Sequence, residues 1–311
     1  MSPKVSVVIP TYNAAMVIEA AVASVARQDF RDLEVILVDD ASRDDTVARA
    51  RAALEQHGLR HLILQQEQNG GPAVARNRAV VAASGEYVAF LDADDEWLPG
   101  KLAAQVAILD AEPKVTLCGC QAVWIDSRGR VVEPLFRDLP SRLPDGWKRL
   151  LWQCYVATPC AMVRRDDLGT RPFDPTLRVG EDRDLWIKLA SNGVVALVQE
   201  VMVRIRLSEG SFMPNNSGLV LTCTRPMIER HLRALAQDLS LRHRMLARGS
   251  LNSQIGKNLC SHPRHYLEGS RYLLTSVLMG YRPIDGMREL LYRAPVLRDI
   301  KSFIKQRYLG G

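Results

Sequence analysis

The sequence predicts an α/β protein: a mostly parallel central sheet flanked by helices, with a helical C-terminal extension. Two observations carry this. Short β-branched runs alternate with helix-length segments through about the first hundred residues, and strands separated by helices of that length pair in parallel. From Thr224 onward the apolar spacing is helical, without further strand signals.

Each element has its own reason. Val5–Ile9 is a β-branched run that ends at Pro10, as a buried strand does. Ala14–Arg27 is rich in alanine and spaces Val17, Ala21 and Val25 at helical intervals. Leu33–Val38 forms a second strand and runs into Asp39-Asp40-Ala41-Ser42. Asp44 or Asp45 caps a helix reaching Gln56, and Gly58 closes it. His61–Leu64 is the third strand, Pro72–Ala83 a helix, and Tyr87–Leu91 the fourth strand after the break at Gly85. A second half begins near Pro99. It holds expected strands at 115–125 and 130–136 about a turn at Asp126–Gly129, then a polar stretch over 137–146. Tyr155–Val163 reads as a strand, Asp182–Asn192 as a helix opened by acids, and 194–207 as one or two strands.

Composition narrows the class. The 311 residues are 47% hydrophobic and 24% charged, which is ordinary globular material. No apolar run reaches the roughly 18 residues that a spanning helix needs. The start Met1-Ser2-Pro3-Lys4 leads straight into a strand, without the apolar stretch and small-residue cleavage site of a secretory signal, so a cytoplasmic enzyme is expected. Six cysteines (118, 120, 154, 160, 223 and 260) lack zinc spacing and read as reduced, mostly buried residues. Charge is uneven: residues 225–311 hold 16 Lys and Arg against 6 Asp and Glu, while the front is net acidic. A basic tail expects an anionic partner. The acidic front excludes a broad nucleic-acid footprint, and no nucleic acid is expected as a partner.

Ligands of parallel sheets bind in the loops after the carboxyl ends of the strands. Three of the first four strands run into polar clusters there: Thr11-Tyr12-Asn13, Asp39-Asp40 and Asp92–Asp95. Three carboxylates in four residues (Asp92, Asp94, Asp95) repel one another unless a cation neutralises them. Hard divalent ions take one or two such carboxylates together with substrate phosphates. Helix capping by Asp94 or Asp95 accounts for one of the acids and leaves the others over. Asp39-Asp40 fits either a base- or ribose-binding carboxylate or an Asx-turn opening the next helix. Asn69-Gly70-Gly71 permits an unusual backbone path, and Arg76 can reach a phosphate or orient the acids. The loop is not a Walker A motif, since no Gly-Lys-Ser/Thr follows. Gly180-Glu181-Asp182 puts carboxylates at a helix start, favoured by the dipole and suited to a general base.

Together these segments resemble the family 2 glycosyltransferases of GT-A (Rossmann-like) fold. The matching pieces are Val5–Asn13 (VSVVIPTYN), Val38–Ser42 (VDDAS), Asn69–Asn77 (NGGPAVARN), Gly85–Asp95 (GEYVAFLDADD) and Gly180–Asp182, in the family's order over roughly residues 4–210. The resemblance implies a nucleotide-sugar-binding half at 1–100, an acceptor-binding half at 101–215 and a basic helical extension at 216–311. It implies inverting transfer of a sugar from a nucleoside diphosphate donor, usually UDP-linked, to an acceptor hydroxyl. Pro10, Thr11, Tyr12 and Asp40 fall where the family binds the base, with Asp39 adjacent, Arg76 in its donor loop, and Asp92 and Asp94 on its DxD pattern. Asp94 or Asp95 is then the ligand of a divalent metal, Mn²⁺ or Mg²⁺. Asp182, with Glu181 as the alternative, supplies the general base.

Departures from the family pattern refine this. The Gln-x-x-Arg-Trp motif and membrane helices of processive synthases are missing, so addition of a single sugar is expected. The late Tyr-Arg-x-His stretch of many members is replaced by Arg204-Ile-Arg-Leu-Ser208, leaving Arg206 or Ser211 for phosphate contact. Val296, Ile300, Phe303, Ile304 and Tyr308 fall close to one helical face with Lys301, Lys305 and Arg307 elsewhere, a pattern suited to an anionic membrane surface or to packing on the domain. Bacterial exopolysaccharide or other cell-envelope glycan synthesis, on a glycan or lipid-linked acceptor, is the expected setting, with the enzyme cytoplasmic and peripheral at the inner face of the membrane. The alternative is a nucleotidyltransferase or other nucleotide-sugar-binding protein on a related fold. That class wants a Gly-rich basic loop after the first strand, where this chain has Pro10–Asn13.

Overall fold

The computed structural model describes residues 2–136, 138–207 and 217–293. The chain forms two compact units: Met1–Leu150 with Cys154–Ser211, and Leu151–Gln153 with Phe212–Gly311.

The first unit is built on one sheet with flanking helices. Its elements in order are β1 (Val5–Thr11), α1 (Ile18–Ala26), β2 (Leu33–Asp39), α2 (Thr46–Gln56), β3 (His61–Gln65), α3 (Pro72–Ala82), β4 (Tyr87–Phe90), β5 (Glu96–Trp97), α4 (Lys101–Ala111), β6 (Val115–Ile125), β7 (Val131–Pro134), β8 (Arg142–Leu143), α5 (Gly146–Leu150), β9 (Met162–Arg164), α6 (Glu181–Ala190) and β10 (Val194–Arg206). Along the sheet the order is β3-β2-β1-β4-β9-β6-β10-β5, with β7 on β6 and β8 on β10. The first four strands pair in parallel, as expected. β9 runs antiparallel between β4 and β6, and β10 returns parallel to β6, so the sheet as a whole is mixed.

Burial follows the sequence pattern. Val7, Val8, Ile9, Val35, Leu37 and Val38 are fully enclosed, because strands covered by helices on both faces hide consecutive residues. Several elements differ from expectation. α1 starts at Ile18 rather than Ala14: Val17, at φ −128°, is outside helical geometry, and the segment before it is held by Thr46 Oγ1 and Asp44 Oδ2, which accept from Ala14 N–H at 2.7 Å and Ala15 N–H at 3.2 Å. The expected strand Tyr155–Val163 is mostly a 3₁₀ turn at Thr158–Cys160 followed by the three residues of β9, since Pro159 cannot donate to a ladder. α4 was not expected, although Leu102, Val106 and Leu109 on its buried face carry helical spacing; Lys101 and Gln105 are buried beside them.

The second unit is helical among its described residues. α7 (Ser217–Leu219) passes through a π turn into α8 (Arg225–Ala234), followed by α9 (Leu241–Cys260), α10 (Tyr266–Leu278) and α11 (Pro283–Arg293). Ser240 opens α9 with a capping box to His243. α9 and α10 approach closely: a Cβ on Gly256 would lie 2.8 Å from Gly269 O. The amphipathic stretch expected at Val296–Tyr308, and Ser211, lie outside the described residues.

Candidate functional site

Strand register assembles the site. Thr11 pairs with Asp39 and Asp39 with Gln65, so the carboxyl ends of β1, β2 and β3 finish on one line. Asp40 N–H donates to Thr11 O at 2.8 Å, carrying the chain from β2 across the end of β1. Asn13 and Ala41 take positive φ there, and Asn13 N–H donates to Ser42 Oγ at 2.9 Å. Tyr12 is 47% exposed on this rim, Pro10 is half-buried, and the buried hydroxyl of Thr11 has no hydrogen-bond partner among the described residues.

The two acids after β2 have different contacts. Asp39 accepts from Ser42 N at 3.1 Å and Ser42 Oγ at 2.5 Å, three residues on, a local hold on the loop that differs from the helix-opening Asx-turn weighed for it, since α2 begins only at Thr46. Asp40 accepts from Gly70 N at 2.8 Å, Gly71 N at 2.7 Å and Gln66 Nε2. Its carboxylate thereby holds the Asn69–Gly71 loop, and Gly71, at φ 84°, turns the chain into α3 with Pro72 in the first turn.

After β4 comes the acidic turn, closed by Asp95 N–H donating to Asp92 O at 3.1 Å. No helix begins here: β5 follows, and α4 starts only at Lys101. Helix capping therefore explains none of the three acids. Asp95 is buried and accepts from Arg206 N at 2.9 Å; the Arg206 guanidinium donates to Asp94 O at 3.3 Å and Glu96 Oε1 at 3.0 Å. Burial, then the charge of Asp92, raises the pKa of Asp94. The same causes, with Asp94 added, push Asp95 well above the usual carboxylate range. Such crowding favours either protons or a cation.

Arg76, buried on α3, joins this turn to the start of α6. One guanidinium nitrogen donates to Asp92 Oδ1 at 2.7 Å and another to Glu181 Oε1 at 2.8 Å. Its guanidinium lies 5.5 Å from the ring centroid of Phe173, which packs edge-on against Phe90 and Trp186. Asn77 fixes Phe173 by accepting from its N–H at 2.9 Å and donating to its carbonyl at 2.8 Å. Burial and the adjacent Asp182 charge raise the pKa of Glu181, against the opposing pull of Arg76.

Gly180, at φ 84°, turns the chain into α6, whose first turn carries Glu181, Asp182 and Asp184. Asp182 is half-buried; its Oδ1 accepts from Arg183 N at 2.6 Å and its Oδ2 from Thr158 Oγ1 at 3.1 Å. Thr158 was missed in the sequence, where it lay inside an expected strand; no local pattern marks it. Burial, then the Asp182 field, pushes the nearby Cys154 thiol up to about 12, so it stays a thiol. All six cysteines are free, five of them buried.

The donor set at the acidic turn fits a hard divalent cation. It is all oxygen, its charges crowd one another, and no salt bridge joins Asp94 to a cation among the described residues. Among those residues no group of three or more His, Cys, Asp or Glu is arranged to hold a metal. A cation held here would thus take one or two carboxylates and complete its shell from phosphate and water.

A sheet with a parallel first half, whose strand ends meet an acidic turn, and with antiparallel β9 inserted before β6 and β10 is a GT-A-like fold. The chain belongs to glycosyl transferase family 2, whose family model matches residues 6–170. It is 33% identical over 221 residues to the putative teichuronic acid biosynthesis glycosyltransferase TuaG of Bacillus subtilis, covering 68% of this chain and 82% of that protein. It is 29% identical over 215 residues to the Escherichia coli UDP-Glc:alpha-D-GlcNAc-diphosphoundecaprenol beta-1,3-glucosyltransferase WfgD, covering 68% and 80%. Against uncharacterized glycosyltransferases of Rickettsia felis and Rickettsia conorii the match spans only 35% of the relative's length. The fold is shared with Staphylococcus aureus TarS 1-349 in complex with UDP-GlcNAc, with TM-score 0.59 and 20% identity over 95% of this chain and 92% of that one. It is also shared with the Pyrobaculum calidifontis mannosyltransferase PcManGT in complex with GDP-Man and Mn²⁺, with TM-score 0.56 and 22% identity over 89% and 87%.

Proposed function

We propose that this chain transfers a single sugar from a nucleoside diphosphate sugar, UDP-linked, to the hydroxyl of a glycan or lipid-linked acceptor, with inversion at the sugar carbon. The observation that carries this reading is the Arg76 bridge, which brings the acidic turn after β4 and the acid pair opening α6 into one site. WfgD, by its name, acts on a diphosphoundecaprenol acceptor with UDP-Glc, and TuaG belongs to teichuronic acid synthesis. Bacterial surface polysaccharide or glycolipid assembly, at the cytoplasmic face of the membrane, suits both.

The contacts support the following roles. Pro10, Thr11 and Tyr12 form the rim on which a base can lie, with Tyr12 its most exposed side chain. Asp39 and Asp40 shape that rim through Ser42 and Gly70-Gly71. Asp94, or Asp95 beside it, would hold a divalent metal, which would supply positive charge to offset that of the leaving diphosphate. Arg76 fixes Asp92 and Glu181. Asp182 takes the proton from the acceptor hydroxyl as its oxygen bonds to the anomeric carbon and the nucleoside diphosphate departs with the electrons of the broken C–O bond. Thr158 and the Arg183 N–H orient that carboxylate.

A panel of UDP-, GDP- and dTDP-sugars tests this by calorimetry with Mn²⁺ or Mg²⁺ and again with chelator. Binding of one nucleoside class, weakened by chelator, is expected. If no nucleoside diphosphate sugar binds in the presence of metal, the proposal fails.

A further inference from the structure

We propose that the outer face of α10, continued by α11, is a docking surface for an anionic lipid bilayer. α10 is apolar on two opposite sides. One side buries Gly269, Leu273 and Ser276, with Gly269 against Gly256 and Cys260 of α9. Leu267, Leu274 and Leu278 recur at positions 0, +7 and +11 on the other side, with Arg271 at +4 in the same stripe. That side is bare: Leu267 is 77% exposed, Leu274 48% and Leu278 81%. Ile284 and Met287 extend the exposed apolar set onto α11, which packs on α10 through Gly286 and Val277. A helix apolar on both sides belongs in a covered setting, and exposed apolar sets of this kind mark interaction sites.

Charge selects the occupant. Arg264, Arg271, Arg282 and Arg288 are exposed on and beside the stripe. Three acids fall in the same two helices: Glu268 stands 3.8 Å from the His265 ring, Asp285 3.9 Å from the Arg282 guanidinium, and Glu289 follows Arg288 in α11. Residues 225–311 are strongly basic as a whole, 16 Lys and Arg against 6 Asp and Glu. Leucines that enter the acyl boundary beside arginines that meet phosphate match an anionic bilayer surface, whereas a protein partner would match the apolar stripe without needing the arginines. Among the described residues no helix is long and apolar enough to cross a membrane, so the contact is one of lying on the surface. The purpose of the surface rests on the lipid-linked acceptor proposed above, but its existence does not.

Co-sedimentation of the full chain with vesicles tests it, without donor or acceptor present. Vesicles of equal parts phosphatidylglycerol and phosphatidylcholine should bind the protein, pure phosphatidylcholine should bind it weakly, and about 0.5 M salt should reduce binding because the phosphate contacts are screened. Leu267→Ser with Leu278→Ser should weaken partitioning by roughly tenfold or more, from the apolar area withdrawn. Arg264→Gln with Arg271→Gln should remove the preference for anionic lipid. Both variants change exposed side chains, so circular dichroism and nucleotide binding should match the parent. Binding unaltered by the leucine substitutions overturns the proposal, as does a parent protein that ignores both vesicles. A concentration-dependent dimer that the leucine variant abolishes, without vesicle binding, makes the stripe an interface between copies instead. Loss of binding in Phe303→Ser with Ile304→Ser, while the leucine variant still binds, assigns docking to the terminal segment and overturns it too. Failure of sugar transfer alone leaves each of these readings intact.

Discussion

Arg76 and Glu181 lie 105 positions apart in the chain, yet the guanidinium of one donates to the carboxylate of the other at 2.8 Å. The same guanidinium reaches Asp92 at 2.7 Å, so α3, the turn after β4 and the start of α6 meet on one side chain. Arg76→Ala leaves Glu181, 9% exposed, without its counter-charge. Breaking a buried pair in this way costs about 3–5 kcal/mol, which urea unfolding will read as an earlier midpoint. Arg76→Lys should recover only part of the loss, because a single ammonium lacks the fork that reaches both acids. A wild-type midpoint in Arg76→Ala would remove the bridge from the account of the site.

Asp182 and Thr158 make a separate prediction. Asp182→Ala should leave nucleotide-sugar affinity near the parent value and lower kcat by about 10²–10⁴, the usual contribution of a positioned base. Thr158→Val removes the hydroxyl that donates to Asp182 Oδ2 at 3.1 Å. Its kcat should fall by about tenfold with the donor KM unchanged, and Thr158→Ser should restore it. Normal transfer by Asp182→Ala would shift the base to Glu181.

Metal binding separates the two acids assigned to it. Asp95 already accepts the Arg206 N–H at 2.9 Å, whereas Asp94 has no such backbone donor from β10. Asp94→Asn should abolish the gain in donor affinity that Mn²⁺ provides, measured by titration calorimetry. Asp95→Asn should also lower stability, since its buried oxygen anchors the end of β10. Undiminished Mn²⁺ dependence in Asp94→Asn with loss in Asp95→Asn would reverse the assignment.

Glu34 provides a pH test of the fold far from the chemistry. It accepts from Ser6 Oγ at 2.7 Å, Ser84 N at 2.9 Å and Ser84 Oγ at 2.8 Å, tying β2 to β1 and to the entry of β4. Burial opposes its ionisation, but these hydrogen bonds outweigh burial and lower its pKa. A carboxyl lowered in the folded state stabilises above its unfolded pKa of about 4.3, and that contribution disappears as pH falls through the folded value. Glu34→Gln should therefore be less stable than the parent at pH 7, with the gap closing in acid. A gap that persists below about pH 3 would show that ionisation is not what Glu34 contributes.

Much of this was legible in the sequence. The first four strands and the helices between them were, because consecutive burial and helical spacing are local properties. The late elements were less so. Tyr155–Val163 carries strand residues but is spent on a 3₁₀ turn and a short antiparallel insertion, and α4 was not expected although Leu102, Val106 and Leu109 show its helical spacing. Arg206, read with Ser211 as a candidate for phosphate contact, has its guanidinium on Asp94 O and Glu96 Oε1, a pairing the sequence did not indicate. Thr158 had no signal at all, since its partner Asp182 is 24 residues away.

By itself the sequence determined which chemical groups end each strand and in what order, since strand and helix periods place polar residues at the loops without reference to the rest of the chain. Asp92, Asp94 and Asp95 belong to that determination. Only the tertiary structure decided how the acids are used: Asp40 holds Gly70 and Gly71, Asp95 holds Arg206, Glu181 is paired with Arg76, and Asp182 is oriented by Thr158. The reason is physical. Each of those contacts depends on sheet register and helix packing across tens of residues, and a carboxylate's pattern in sequence is the same whether its lone pairs face the fold or a substrate.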